Sequence, residues 1–202
     1  MALTTDSIRF SIRAISADVE PMGDKLNALD ALLGDGDLGV TMVNGFRNME
    51  KVADDLPDDV GKACMESAKA MTKVSGSSFG TLMGIALMAA AKLTKGRTDV
   101  AWSELPDLLQ AAMDAMIARG GANIGDKTML DSLNAVIAAL RQAEVDQMAA
   151  VASVASTEAL NAFRGQQCKI GRARIFGEKT IGMDDPGMVA IKMMSDCLLD
   201  AK

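Results

Sequence analysis

Apolar residues recur at helical spacing along almost the whole chain. Ile8, Ile12, Ile15 and Val19 are separated by four, three and four positions, which puts them on one helix face. Pro21 then predicts a break, because proline inside a helix lacks a donor and crowds the preceding turn. Leu26, Leu29 and Leu33 continue the pattern, and Val43, Phe46 and Met49 open another helix after a glycine-rich gap. Four further helices are marked by Val60, Cys64 and Met71, by Leu82, Ile85 and Leu93, by Leu105, Leu108, Ala112 and Met116, and by Met129, Leu133, Val136 and Leu140. An Ala/Val-rich stretch over 148–160 and a last segment over 186–199, with Pro186 in its first turn, complete the series. The pattern predicts an all-α chain of eight or nine amphipathic helices, with no strand.

The gaps between these helices differ in chemistry. DDLPD at 54–58 and TKGRT at 94–98 read as plain polar turns. Four others are glycine-rich and carry reactive side chains: GDGDLG at 34–39, SGSSFG at 75–80, RGGANIGDKT at 119–128, and the long segment 164–187. In an up-and-down array alternate connections gather at one end, so these four loops are expected to share a rim. No repeat, low-complexity tract or linker divides the 202 residues, and 1–202 is expected to form a single domain.

Composition narrows the chemistry. Hydrophobic residues at 49% and charged residues at 24% suit a globular chain with a substantial core. Aromatics are only 3% against 16 methionines, which favours helix over strand. The net charge of -6 argues against non-specific nucleic-acid binding, which needs a basic face. There is no histidine, which excludes a Ser-His-Asp triad, a His-ligated zinc site and a phosphohistidine carrier within this sequence. Cys64, Cys168 and Cys197 form no C-x-x-C pair and read as buried free thiols in a reducing cytosol. The N-terminal residues lack a basic segment followed by an apolar core, and the most apolar stretch, 83–91, is short of the ~18 residues of a membrane span. A soluble, cytoplasmic protein with no membrane or nucleic-acid partner is expected.

The sharpest local feature is LDALLGDGDLG. Asp30 sits one turn before a predicted helix end, and Gly34, Gly36 and Gly39 allow the backbone to fold back so that Asp30, Asp35 and Asp37 converge. Converging carboxylates repel one another unless a hard dication with oxygen ligands neutralises them. The same aspartates also suit a solvated turn in which they act as caps. The glycines satisfy G-x-G-x-x-G, but a helix pattern precedes them rather than the strand of a dinucleotide-binding unit. An EF-hand fails as well, since the twelfth position from Asp35 is Phe46 rather than Glu. No P-loop motif occurs.

Three other segments offer phosphate chemistry or ordinary helix capping. GSSFG at 76–80 precedes a helix whose first N–H groups, with Ser77 and Ser78, suit phosphate oxygens; it also reads as a serine cap. Thr128 and Asp131 form a capping-box pattern in GDKTMLD. Arg172 and Arg174 in GRAR supply cations near Asp184 and Asp185, for a phosphate or for surface ion pairs.

Together, LNALDALLGDGDLGVTM, GSSFGTLMG, GDKTMLDSL and GRARIFGEKTIGMDDPG resemble the nucleotide-binding L subunit of the dihydroxyacetone kinase family, in order and spacing. The resemblance covers nearly the whole chain. It implies an eight-helix antiparallel α-barrel with ADP or ATP and two Mg²⁺ ions at one end, and members of the family can hold lipid inside the barrel. By the same resemblance Asp30, Asp35 and Asp37 are the magnesium ligands. Leu38, Gly39, Val40, Thr41, Phe79, Gly80, Gly120, Met129, Arg172, Asp185, Pro186 and Gly187 fall on nucleotide-contact positions. None of these is a catalytic base, and the expected catalysis is positioning and electrostatic stabilisation.

Three positions depart from the family pattern. Leu38 and Met183 stand where the family usually has histidine, and Phe79 where it has a small residue such as serine. The resemblance further implies that the acceptor sugar is held covalently by a histidine of a separate K subunit, so a histidine-free chain is no obstacle. The implied activity is phosphoryl transfer to dihydroxyacetone or a related ketose such as a tetrulose, from ATP or from ADP rephosphorylated by a phosphotransferase-system protein. The contrasting expectation, to which the three departures point, is a catalytically silent nucleotide- or lipid-binding regulatory helical module.

Overall fold

The computed structural model describes residues 2–73 and 76–201. Eight α-helices carry almost all of the regular structure: α1 (Thr5–Leu33), α2 (Leu38–Val52), α3 (Val60–Thr72), α4 (Ser78–Thr94), α5 (Leu105–Gly120), α6 (Met129–Leu140), α7 (Met148–Arg164) and α8 (Pro186–Asp200). The chain is all-α in class. The expected strand-free chain needs one correction. Ala2–Thr4 (β1) pairs antiparallel with Asp99–Ala101 (β2), Leu3 opposite Val100. Three residues per strand give too little alternation to register as a pattern.

The predicted break at Pro21 is also corrected, because α1 runs through it for 29 residues. Ile12, Ile15, Val19, Met22, Leu26 and Leu33 are all buried, so one apolar stripe is packed on both sides of the proline. That packing outweighs the roughly 3 kcal/mol that an interior proline costs a helix.

The chain divides into two compact units, Met1–Glu20 with Thr41–Gly120, and Pro21–Val40 with Gly121–Lys202. In the first, α4 packs against α3 and α5. Val60, Cys64, Ala91 and Val100 form a buried cluster, with Leu3, Ile8, Met65 and Leu108 packed on it. Close helix approach depends on small residues: a Cβ at Gly61 would meet the Lys95 backbone N at 2.5 Å and the Ala91 carbonyl oxygen at 2.6 Å. An almost wholly apolar cavity of about 240 Å³ lies in this unit, lined by side chains that include Ile8, Cys64, Leu87 and Leu108.

Neither short polar turn is plain. The Leu56 carbonyl accepts from Arg9, and the Pro57 and Asp58 carbonyls accept from Thr5. Thr94 is fully buried, the Arg97 carbonyl accepts from Val60 N–H at 2.7 Å, and Asp59 accepts from Gly96 N–H at 2.9 Å. These turns fasten the start of α3. In the second unit α6, α7 and α8 pack against one another around Leu130, Leu133, Leu160, Met188 and Met194. The three cysteines are buried and form no disulfide, as expected, and burial pushes the Cys64 thiol up to about 11.

Among the described residues no helix is long and apolar enough to cross a membrane. The loops at 34–39, 121–128 and 164–187 belong to the second unit and 76–80 to the first; Ser75 of SGSSFG lies outside the described residues.

Candidate metal and phosphate site

The acidic loop closes as its glycines suggest. Asp30 lies in the last turn of α1, where its carbonyl accepts from Gly34 N–H at 2.5 Å. A Cβ at Gly34 would overlap the Asp30 carboxylate, and Gly36 has φ +75°, a backbone state that glycine adopts without strain. The chain therefore reverses tightly enough for carboxylate oxygens of Asp30, Asp35 and Asp37 to lie within 4.8 Å of one another. Asp30 is half-buried; the other two are exposed. Asp30 Oδ2 also accepts from Asp37 N–H at 3.0 Å and Leu38 N–H at 3.4 Å. The capping reading and the converging reading thus hold for the same side chain.

Asn27 completes the turn from α1, its Oδ1 accepting from Val40 N–H at 3.1 Å. A Cβ at Gly39 would overlap the Gly23 carbonyl oxygen, so glycine is required where the start of α2 crosses α1. Unpaired carboxylates about 5 Å apart repel by on the order of 1 kcal/mol per pair even at the permittivity of water. Arg172 answers part of this: its guanidinium forms an ion pair with Asp35. The residues fit a hard dication, since three carboxylates share one small volume, two of them open to solvent where a cation can keep its waters.

Leu38 is buried, which places one of the three departures from the family pattern in the core. Phe79, the second, is buried too, while Met183 is intermediate. Within the first unit, Thr41 Oγ1 donates to Ser77 Oγ at 2.9 Å, and Ser77 Oγ accepts from Gly80 N–H at 3.1 Å as the N-cap of α4. Gly120 sits against Leu82, where an added Cβ would lie 3.4 Å from a leucine methyl. In the second unit Gly187 faces Met129, 3.3 Å separating an added Cβ from that of Met129.

GDKTMLD forms the capping box that its pattern predicts. Thr128 accepts from Leu130 N–H at 3.2 Å, and buried Asp131 accepts from Thr128 N–H at 2.8 Å and Gly125 N–H at 2.5 Å. Asp185 caps α8, accepting from Met188 N–H at 2.8 Å, with Pro186 at the first helical position. Arg164, rather than either arginine of GRAR, forms the bidentate pair with Asp184, at 2.7 and 3.0 Å. No single-sequence signal separated Arg164 from any other basic residue at a helix end.

Burial pushes the Asp185 carboxyl up to about 7, against the pull of Met188 N–H and the Lys127 ammonium. A carboxyl whose folded pKa is raised stays protonated over a range where the unfolded chain is ionised. Its stabilising contribution is present below about pH 4 and is lost as pH rises through about 7. Asparagine caps a helix as well as aspartate does and carries no charge. Asp185→Asn is therefore expected to stabilise the chain by on the order of 1–3 kcal/mol at pH 8, with the gain shrinking toward pH 4. Urea unfolding of both proteins across that range checks it; a pH-independent difference contradicts it.

Comparison with known proteins gives the family of the chain. A family model described as the DAK2 domain matches residues 32–200, so the chain belongs to the DAK2 domain family. It is 32% identical over 183 residues to the ADP-binding subunit DhaL of the PEP-dependent dihydroxyacetone kinase of Escherichia coli (strain K12), covering 86% of this chain and 85% of that protein. Over 206 residues it is 36% identical to the D-erythrulose kinase of Mycolicibacterium smegmatis, covering 95% of this chain and 35% of that one. The crystal structure of the dihydroxyacetone kinase from C. freundii in complex with AMP-PNP and Mg²⁺ superposes with a TM-score of 0.77 at 25% identity. The match takes in 100% of this chain and 35% of that kinase, so the chain spans about a third of its length.

Proposed function

We propose that this chain is the ADP-binding L subunit of a dihydroxyacetone kinase, a phosphotransferase component that works with a separate sugar-binding K subunit. The observation that carries the reading is the convergence of Asp30, Asp35 and Asp37, with Arg172 on Asp35, in a chain whose family match spans residues 32–200. The family match and the length covered on the DhaL relative support a single functional domain over 1–202, folded as an eight-helix α-barrel and working in the cytoplasm. Asp30, Asp35 and Asp37 hold two Mg²⁺ ions, which when bound neutralise phosphate charge. Leu38, Gly39, Val40, Thr41, Phe79, Gly80, Gly120, Met129, Arg172, Asp185, Pro186 and Gly187 contact the nucleotide.

The chain's own residues then have defined work. Asp30 fixes the turn through its two backbone N–H bonds, which holds the acidic loop ready before any ligand arrives. Ser77 fixes the first turn of α4, whose N-terminal N–H groups favour negative charge. Arg172, balanced by Asp35 in the ligand-free chain, exchanges part of that pairing for a phosphate oxygen. No base is assigned, because phosphoryl transfer is served by positioning and electrostatics. The acceptor is dihydroxyacetone or a small ketose such as a tetrulose; the phosphoryl donor is ATP or a phosphotransferase-system protein that recharges bound ADP. The apolar cavity of about 240 Å³ accommodates part of a lipid chain.

Calorimetric titration of the purified chain with ADP, with magnesium and again with EDTA, tests this function. One site per chain that requires magnesium is expected. Absence of nucleotide binding with retained helical circular dichroism would overturn this reading, and binding without turnover beside a K subunit would favour the silent helical module.

A further inference from the structure

Lys127 is a buried lysine that the proposed chemistry leaves unused. It is 1% exposed, and its φ of 63° is the only positive value at a non-glycine position among the described residues. A left-handed conformation at a side-chain-bearing residue is strained and persists only where the surroundings enforce it. Here the surroundings are the capping box, which fixes Gly125 and Thr128 on either side through Asp131. The strained backbone sends the lysine inward, where all three ammonium protons are used. Nζ donates to the carbonyls of Arg164 at 3.3 Å, Gln166 at 2.7 Å and Thr180 at 2.9 Å. A buried ammonium is tolerated only when its donors are satisfied in this way.

Those three carbonyls are the two ends of one loop. Arg164 and Gln166 begin the segment and Thr180 ends it, and Gly182 N–H donates to the Arg164 carbonyl at 2.8 Å to close the neck. Thr180 Oγ1 accepts from Cys168 N–H at 2.9 Å and donates to the Gly177 carbonyl at 2.8 Å. The Asp126 carbonyl accepts from Lys169 N–H at 3.1 Å, and the Gly125 carbonyl from Lys169 Nζ at 2.7 Å. The loop projects from this neck as a 3-10 stretch, Arg172–Thr180, and at its start Arg172 reaches Asp35. The loop has little core of its own: only Cys168 and Thr180 are buried, and Ile175 is 77% exposed. Its position depends on the neck.

We propose that Lys127 is a positioning residue: its buried ammonium pins both ends of the 164–182 loop and so presents Arg172 to the acidic cluster and to the nucleotide phosphates. The pinning stands on the geometry alone, while the consequence for nucleotide rests on the function proposed above. Methionine matches lysine in length and packs well but donates nothing, so Lys127→Met removes the pin with little change of volume.

The test has two arms. In hydrogen exchange without nucleotide, Lys127→Met is expected to speed amide exchange within 168–182 by at least about tenfold while leaving α3 and α4 unchanged. Unchanged exchange in 168–182 overturns the proposal whatever the protein binds. In the second arm, magnesium–ADP affinity is measured for the parent, Lys127→Met, Arg172→Ala and the double variant. Arg172→Ala alone is expected to weaken ADP roughly 10-fold or more, the range for a hydrogen bond to a charged group. In the Lys127→Met background the same change is expected to add less than about threefold, because an unpinned arginine has little left to lose. Fully multiplicative effects overturn the claim that Lys127 acts through Arg172. If Lys127→Met does not fold, Lys127→Gln, a shorter uncharged side chain whose amide has two donors for three carbonyls, takes its place in both arms with the same criteria. If the parent fails to bind ADP, the proposed function falls, and the exchange arm still decides the pinning.

Discussion

Asp37→Asn is expected to weaken magnesium-dependent ADP binding by at least about 100-fold, close to 3 kcal/mol, without unfolding the chain. The expectation follows from opposite roles of the same charge in two states. With no cation bound, Asp37 is one of three carboxylates whose oxygens lie within 4.8 Å, so its charge is a source of repulsion. Its side chain is exposed, and losing that charge should leave stability within about 0.5 kcal/mol or raise it slightly. On the proposed function the carboxylate is a ligand once magnesium is present, and an amide oxygen supplies neither the charge nor the affinity. Asp35→Asn is expected to fail in the same way, but it also strips Arg172 of its partner, so Asp37 is the cleaner position. The measurement is thermal unfolding with and without magnesium and ADP. Parent protein gains stability from the pair of ligands by mass action, and the variant should gain almost none. An equal gain in both would remove Asp37 from the metal site.

The acidic loop could be read from sequence because its determinants are local. Asp-Gly-Asp following a helix end, with glycine at 34, 36 and 39, leaves few ways for the backbone to run, and the capping box at Thr128 and Asp131 is local for the same reason. Helix positions were legible where one apolar stripe defines one helix, as in α3, α5 and α6. Pro21 was misleading because local propensity predicts a break, whereas burial of Val19, Met22 and Leu26 around it decides for continuity. Arg97 reads as a turn residue, yet its carbonyl accepts from Val60 N–H at the start of α3, far along the chain. Lys127 was hidden for a related reason. A lysine among polar loop residues ordinarily reads as solvated, and only the fold brings the Arg164, Gln166 and Thr180 carbonyls around it. Arg172 reads as a cation for a phosphate or for a surface ion pair, but its pairing with Asp35 across such a sequence distance carries no sequence signature.

The isolated chain is expected to phosphorylate no sugar, even with ATP and magnesium. Its sequence contains no histidine to capture a ketone covalently, and the polar loops described here are engaged in capping, ion pairing and the proposed metal and nucleotide contacts. On the proposed function the chain offers a held phosphoryl donor, and a second protein brings the acceptor. Contact with that partner is expected to be small, polar and transient, in keeping with the acidic and arginine-bearing loops. Adding the sugar-binding subunit should therefore raise turnover from background to the range of about 1–100 s⁻¹ usual for kinases. The partner should show no stable complex at low micromolar concentration.

The central claim, that this chain supplies nucleotide-borne phosphoryl groups to a sugar held elsewhere, is tested most directly by one reconstituted assay. The chain, purified free of host kinases, is combined with the K subunit and a panel of small ketoses including dihydroxyacetone and erythrulose. Magnesium is present throughout, and the donor is either ATP or a phosphorylated phosphotransferase-system protein acting on bound ADP. Sugar phosphate is expected only when both proteins and one donor are present, and not when Asp37→Asn replaces the parent chain. Sustained turnover by the chain alone, or full turnover with Asp37→Asn, would contradict the account.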